Sequence, residues 1–274
     1  MKLGSGAADC VSLRRHGEHR VENAHAARNT LLRVLRGETL SGRNNPVFVA
    51  LDTPDPGHAL QLAGLLAPHV GGFKVGLEFL TATGPEGLRR IVDLGRPVFA
   101  DVKFHDIPNT VAGASRALAA QRVAYFNIHA SGGAAMMRAA RDAIEGTNPR
   151  PKLLAVTILT SLDQADLQAL GLQGTARERV VRLAVPAKSC GLDGVVCSAE
   201  EIEAVREACG PDFLIVTPGI RPEGAALADQ RRVKTPTEAL RAGADILVIG
   251  RPITGARDPA EAARAIAREI GLLI

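Results

Sequence analysis

Short apolar runs alternate with helically spaced apolar positions from Pro46 almost to the end of the chain. Val47–Leu51 is a continuous apolar run that ends on Asp52, and Gly57–Ala67 follows with helical spacing. Phe73-Lys74-Val75-Gly76 reads as the second strand. Thr83-Gly84-Pro85-Glu86 then reads as a helix start, a capping hydroxyl with a glutamate three positions on. Val98–Lys103, set off by Gly95 and Pro97, is the third strand, and the helix after it carries Val111, Ala114 and Leu118 on one face. Val123–His129 and Leu153–Leu159 are the fourth and fifth strands. Gly194–Cys197 is the sixth, ahead of a helix expected to be capped by Ser198 with Glu201. Phe213–Thr217 and Ile246–Ile249 are the seventh and eighth, with helices starting at Thr235-Pro236-Thr237-Glu238 and Asp258-Pro259-Ala260-Glu261.

Apolar runs without polar interruption are the mark of strands buried on both faces, as in parallel sheets covered by helices. Eight strand–helix units predict an α/β fold of the (β/α)8 TIM-barrel type, one domain over residues 46–274. An open doubly wound sheet is the alternative, but its G-x-G-x-x-G turn is missing after the first strand. Asp52-Thr53-Pro54-Asp55-Pro56 stands in that place.

Composition agrees with this reading. The chain is 46% hydrophobic but only 3% aromatic and lacks tryptophan, so its core must be built from Val, Leu, Ile and Ala. No apolar run approaches the roughly 20 residues that span a bilayer, so no membrane partner is expected. The four cysteines form no C-x-x-C pair, which predicts reduced thiols in a cytoplasmic protein and no zinc site.

Charge separates the chain into two parts. In residues 1–45, Lys2 and seven arginines face Asp9, Glu18, Glu22 and Glu38. That surplus equals the formal +4 of the whole chain, so residues 46–274 are neutral. The basic N-terminal extension is expected to be flexible, with a helical pattern at His25–Arg36. No aromatics interleave with its arginines, so nucleic acid is not an expected partner. Its three glutamates argue against a mitochondrial transit peptide.

The candidate chemistry sits at strand ends, where barrels place it. Asp52 ends the first strand, Lys74 lies on the second, and Asp101 and Lys103 end the third. Asn127 and His129 end the fourth, Thr160-Ser161 follow the fifth, Arg221 lies past the seventh, and Gly250-Arg251 follow the eighth. Asp101 and Lys103 are two residues apart, so an extended chain points both to one side. Lysine is scarce here, six against 27 arginines, yet two of the six occupy barrel strands. A lysine has a proton that can be tuned and transferred, which an arginine lacks. Any one such pair could be structural; the set together points to a catalytic site. Gly250-Arg251 and Arg221 suit a phosphate held by the last two loops, and the polar stretch from Thr217 past Gln230 reads as a lid.

These residues resemble the orotidine 5′-phosphate decarboxylase family over nearly all of Val47 to Ile270. The resemblance rests on Leu51-Asp52, Phe73–Gly76, Asp101-Val102-Lys103-Phe104-His105-Asp106-Ile107-Pro108-Asn109-Thr110, His129–Gly133, Val156–Ser161, Thr217–Pro222, Asp229-Gln230-Arg231-Arg232 and Ile249–Pro252. D-x-K-x-x-D alone is shared with related sugar-phosphate decarboxylases and synthases; its continuation Ile107-Pro108-Asn109-Thr110 is more specific. The resemblance implies a charge-alternating network of Lys74, Asp101, Lys103 and Asp106, with Lys103 protonating the carbanion left by decarboxylation. It implies a homodimer in which Asp106 and Thr110 serve the partner's site. Asp52 would bind ribose, Thr160 the pyrimidine, and Gln230, Gly250 and Arg251 the phosphate, with Arg221 nearby. No metal or organic cofactor is implied. Two alternatives stay open: a metal-dependent sugar-phosphate lyase of the same superfamily, and a non-catalytic nucleotide-binding protein.

Overall fold

Side chains along β1 (Val47–Ala50) alternate between two cores: Phe48 and Ala50 enter one, Val47 and Val49 the other. The same alternation recurs around the molecule because successive strand residues point to opposite faces. The structure, a computed structural model, describes residues 45–222 and 234–272. The remaining strands are β2 (Gly72–Val75), β3 (Val98–Phe104), β4 (Tyr125–His129), β5 (Lys152–Val156), β6 (Gly194–Val196), β7 (Leu214–Pro218) and β8 (Ile246–Ile249). Each pairs in parallel with the next, and β8 returns to β1, closing an eight-stranded barrel. This is the (β/α)8 architecture expected from the sequence.

Inside the barrel, Phe48, Ala50, Phe99, Leu154, Val216, Ile246 and Val248 pack together, with Tyr125, Val196 and Leu214 against them. Phe48 and Tyr125 meet edge to face at 5.6 Å across the lumen floor. Gly72 faces the same space, and a Cβ there would lie 2.5 Å from the Phe48 ring, so the aromatic floor depends on that glycine. Outside, Val49, Phe73, Ala100, Phe126, Leu153, Val195, Ile215 and Leu247 pack under the helices.

The helices are α1 (Pro56–Leu66), α2 (Leu77–Val92), α3 (Pro108–Ala119), α4 (Gly133–Asp142), α5 (Gln164–Ala169), α6 (Ala176–Ser189), α7 (Ile202–Cys209), α8 (Pro236–Ala242), α9 (Arg251–Thr254) and α10 (Pro259–Glu269). Local chemistry starts several of them. Asp55 caps α1 through Gly57 N–H at 2.8 Å, Thr235 and Glu238 form a reciprocal capping box on α8, and Asp258 caps α10.

Two expected helix starts differ. The helix expected at Thr83 begins at Leu77 and breaks at Gly84, whose φ of 62° is non-helical. Thr83 turns its hydroxyl back to Phe79 O at 2.8 Å, which completes the first segment instead of capping the second. Ser198 does not cap α7 either. Its hydroxyl accepts from Glu200 N–H at 3.3 Å and closes a turn, and the helix begins only at Ile202. The fifth strand stops at Val156, leaving 157–161 to form a wall above the lumen. The helical pattern at His25–Arg36 lies outside the described residues, as do Cys10 and Gln230. Among the described residues no helix is long and apolar enough to cross a membrane. Cys190, Cys197 and Cys209 are buried, and none of the three forms a disulfide among the described residues.

Candidate active site

The inward parity that fills the barrel floor with Phe48, Ala50 and Phe99 places charged side chains at its carboxyl end. Asp52 follows Ala50, Asp101 follows Phe99, Asn127 follows Tyr125, and Lys74 is the inward residue of β2. Asp52, Lys74 and Asp101 line a cavity of about 420 Å³ whose walls also include Lys103, Thr160, Arg221, Gly250 and Arg251, with Asn127 behind them. Phe99, Val156, Ile158, Leu159 and Pro218 supply an apolar side to the same space. The cavity therefore has a charged wall, an apolar wall and an arginine-bearing rim, a pattern typical of small-molecule sites.

The charged wall is a line of alternating sign. Lys74 Nζ donates to Asp52 Oδ1 at 2.7 Å and lies 3.7 Å from Asp101 Oδ2. Asp101 Oδ1 in turn accepts from Lys103 Nζ at 2.7 Å. The side chains of Lys74 and Asp101 are only 10% and 14% exposed, so neither would tolerate the loss of its opposite charges. Burial alone would raise the carboxyl pKa of Asp101. The Lys74 and Lys103 charges and the hydrogen bonds from Lys103 and Asn127 outweigh it and hold the group below the usual carboxylate range. Asp101 is thus an anion by design of its neighbours. Gly76 is crowded by this line, for a Cβ there would lie 3.0 Å from Asp52 Oδ1 and 3.2 Å from Lys74 Nζ.

Lys103 reaches Asp101 by an irregular route. Phe99 and Ala100 pair with Tyr125 and Phe126, but the next pair is Phe104 with Ile128. Asp101, Val102 and Lys103 thus bulge opposite Asn127 alone, and Lys103 takes a left-handed φ of 50°. Bulges commonly re-aim a side chain beside an active site, and a non-glycine residue in this conformation costs roughly 1–2 kcal/mol. Asn127, fully buried, bonds both ends of the bulge: its Oδ1 accepts from Lys103 N–H and its Nδ2 donates to Asp101 Oδ1, each at 2.7 Å. Asn127 is recognisable in the sequence as a polar strand end but its role is not, because this bulge leaves no glycine or proline mark.

The opposite rim carries Arg221 and Arg251. Arg221 is 7% exposed, and its Nε has no hydrogen-bond partner among the described residues. Burial, followed by the Arg251 charge, lowers its proton affinity. Two guanidiniums at one rim, one of them largely removed from water, favour an anion between them.

Several candidate residues do not line this cavity, among them Asn127, His129, Ser161, Asp106 and Thr110. Asp106 and Thr110 are exposed and outside this cavity, and Asp106 Oδ1 accepts from Ile107 N–H at 2.6 Å. His129 stacks on His105 with ring centroids 5.2 Å apart. Burial, His105 and Lys103 lower its proton affinity, favouring the neutral ring, and Asp101 opposes them. Among the described residues no group of three or more His, Cys, Asp or Glu side chains is placed to hold a metal ion.

Comparison with known proteins adds a family to this geometry. The family described as Orotidine 5'-phosphate decarboxylase / HUMPS matches residues 45–266. The chain belongs to this family. It is 54% identical over 233 residues to orotidine 5′-phosphate decarboxylase of Moorella thermoacetica, covering 83% of this chain and 92% of the relative. It is 53% identical over 234 residues to the protein of that name from Paramagnetospirillum magneticum, covering 83% and 99%. The crystal structure of orotidine 5′-phosphate decarboxylase from Lactobacillus acidophilus superimposes with a TM-score of 0.71 at 38% identity, covering 82% of this chain and 99% of that one. The family match begins at the first described residue, so residues 1–44 stand outside it.

Proposed function

We propose that this chain is a cytoplasmic enzyme that decarboxylates orotidine 5′-phosphate to UMP and CO2 without a cofactor, using Lys103 as the proton donor. The observation that carries this reading is the ionised Asp101 held between Lys74 and Lys103 at the mouth of the barrel. Its family membership and relatives of the stated name support the same substrate.

The chemistry follows from the charges. Breaking the bond between the ring and its carboxylate releases neutral CO2 and leaves the electron pair on the ring carbon. The Lys103 ammonium stabilises that pair and then gives it a proton, forming UMP; solvent returns a proton to the lysine. Asp101 repels the substrate carboxylate in the bound ground state, and that repulsion ends as CO2 leaves. Lys74 keeps Asp101 ionised and orders Asp52, which is half exposed and placed to meet the ribose hydroxyls. Thr160 lies on the wall beside the apolar side chains and would meet the pyrimidine. Arg221, Gly250 and Arg251 would receive the phosphate, joined by Gln230. Binding energy at this remote anion can be used to organise the reacting end.

A metal-dependent lyase would need its carboxylates turned to a cation. Asp52 and Asp101 are instead turned to Lys74 and Lys103.

The site is proposed to be shared within a homodimer, with Asp106 and Thr110 reaching the partner's cavity. Both are exposed beside Ile107, a large apolar side chain that is 66% exposed. The basic extension, residues 1–45, is proposed to be dispensable for catalysis.

The test is the loss of orotidylate ultraviolet absorbance with and without EDTA. Turnover insensitive to EDTA is expected. Binding of UMP without turnover of orotidylate would overturn the reading, and activity abolished by EDTA would favour the metal-dependent one.

A further inference from the structure

We infer that Asn127 is a positioning residue for the proposed proton donor: it locks Lys103 into its left-handed conformation and fixes the ammonium against Asp101. The inference rests on the decarboxylase reading for the role of Lys103, and on the geometry for the rest.

The bulge creates the need. Three residues of β3 face one residue of β4, so the barrel ladder offers no carbonyl to the Lys103 N–H. A part-buried N–H is costly to leave without an acceptor. Asn127 Oδ1 provides it at 2.7 Å. The amide orientation is then determined by chemistry, since a backbone N–H only donates and the Asp101 carboxylate only accepts. Nδ2 must face Asp101, and it does so at 2.7 Å. One side chain therefore ties the backbone of Lys103 to the same oxygen, Asp101 Oδ1, that receives the Lys103 ammonium at 2.7 Å. Backbone, amide, carboxylate and ammonium form a closed ring. Without the amide, the left-handed φ of 50° at Lys103 loses the contact that offsets its cost, and the chain is free to return to extended backbone. That return would carry the ammonium away from the reacting carbon.

Asn127 touches neither the phosphate rim nor the apolar wall in this scheme, so the loss should fall on turnover. Asn127→Leu keeps the volume and removes both bonds. It is expected to lower kcat by on the order of ten- to a hundredfold, with KM for orotidylate within about threefold of wild type. Asn127→Asp keeps the acceptor for Lys103 but sets a second carboxylate against Asp101, among Lys74, Lys103, Asp52 and the His105–His129 pair. As the pH falls, the added carboxyl takes up a proton and donates as the amide did. Its kcat should therefore rise from neutral toward acid pH relative to wild type, a response that general loosening of the fold would not produce.

The experiment measures kcat and KM across pH for wild type and both variants, with crystal structures of the variants. A fall in kcat at preserved KM, with Lys103 moved out of the left-handed region, supports the inference. Unchanged kcat in Asn127→Leu, or an Asn127→Asp profile parallel to wild type, overturns it. If wild type itself does not turn over orotidylate, the decarboxylase reading falls separately. Asn127 is then judged on the variant structures: Lys103 still left-handed and still against Asp101 without the amide would overturn the inference.

Discussion

Lys103 Nζ lies 2.7 Å from Asp101 Oδ1 although the backbone between them has left the regular strand at Lys103, where φ is 50°. An extended chain would also put the two side chains on one face, but without the hold that Asn127 exerts on both. The pair is half of a four-charge line running Asp52, Lys74, Asp101, Lys103. The first prediction concerns its end. Lys103→Ala should remove the proposed proton donor beside Asp101, lowering turnover by at least roughly 10²- to 10⁴-fold while leaving a folded barrel. Steady-state assays with circular dichroism check this. Near-native turnover would eliminate Lys103 as the donor.

Asp101 should also report its neighbours in the pH dependence of stability. Its folded-state pKa is depressed despite burial, by Lys74, Lys103 and Asn127. A depressed carboxylate contributes stability above its unfolded value, about 3.9, and loses it as pH falls through the lower folded value. Urea unfolding of wild type and Asp101→Asn at a series of pH values should show a gap that narrows as the pH drops below about 4. A gap independent of pH would mean that the lysines do not stabilise the ionised form.

The dimer prediction concerns Asp106, exposed and three residues past Lys103. Inactive Lys103→Ala and inactive Asp106→Ala chains, mixed and allowed to exchange, should regain part of the activity. One site of each heterodimer would then hold both intact residues. No recovery despite demonstrated exchange would return Asp106 to its own chain's site.

What the sequence makes legible here follows from how local the signal is. Strand parity and the helix starts at Thr235 and Asp258 are local, and the barrel and those two helices follow from them. The Thr175–Glu178 capping box of α6 is equally local and was open to the same reading. Thr83 and Ser198 show the limit, because a hydroxyl at the right spacing has competing backbone partners and only the folded chain decides among them. Lys103 joins Asp52, Lys74 and Asp101 at one cavity through the bulge, whereas the convergence of those three follows from parity at strand ends. The part played by Asn127 does not, since it depends on a register shift between β3 and β4 that no residue of either strand announces.

The boundary of the extension has a structural marker. Asn45 Nδ2 donates to His69 O at 2.8 Å, its Oδ1 accepts from Val47 N–H at 2.9 Å, and Pro46 O accepts from Leu247 N–H at 2.9 Å. A chain starting at Asn45 keeps these contacts and should retain its stability and turnover. A chain starting at Val47 loses them and should be destabilised by a few kcal/mol, at about 1 kcal/mol per bond or somewhat more where a buried group is orphaned. Thermal unfolding of both chains checks this. Loss of turnover in the longer one would assign the basic extension a place on the barrel.

The phosphate rim gives the last prediction. Arg221 and Arg251 line one side of the cavity, and the burial of Arg221 beside a second cation makes an anion the natural occupant. Orotidylate carries such an anion at its 5′ end, whereas orotidine keeps the same ring and carboxylate and lacks it. Arg251→Ala removes one charge-assisted contact, worth roughly 1.5–3 kcal/mol, or about ten- to a hundredfold in kcat/KM. That loss should appear with orotidylate and nearly vanish with orotidine. Because binding energy at the phosphate also helps to organise the reacting end, kcat for orotidylate should fall together with affinity. Equal losses on both substrates would place Arg251 in support of the fold or the ring wall, and would leave Arg221 as the anion's partner at this rim.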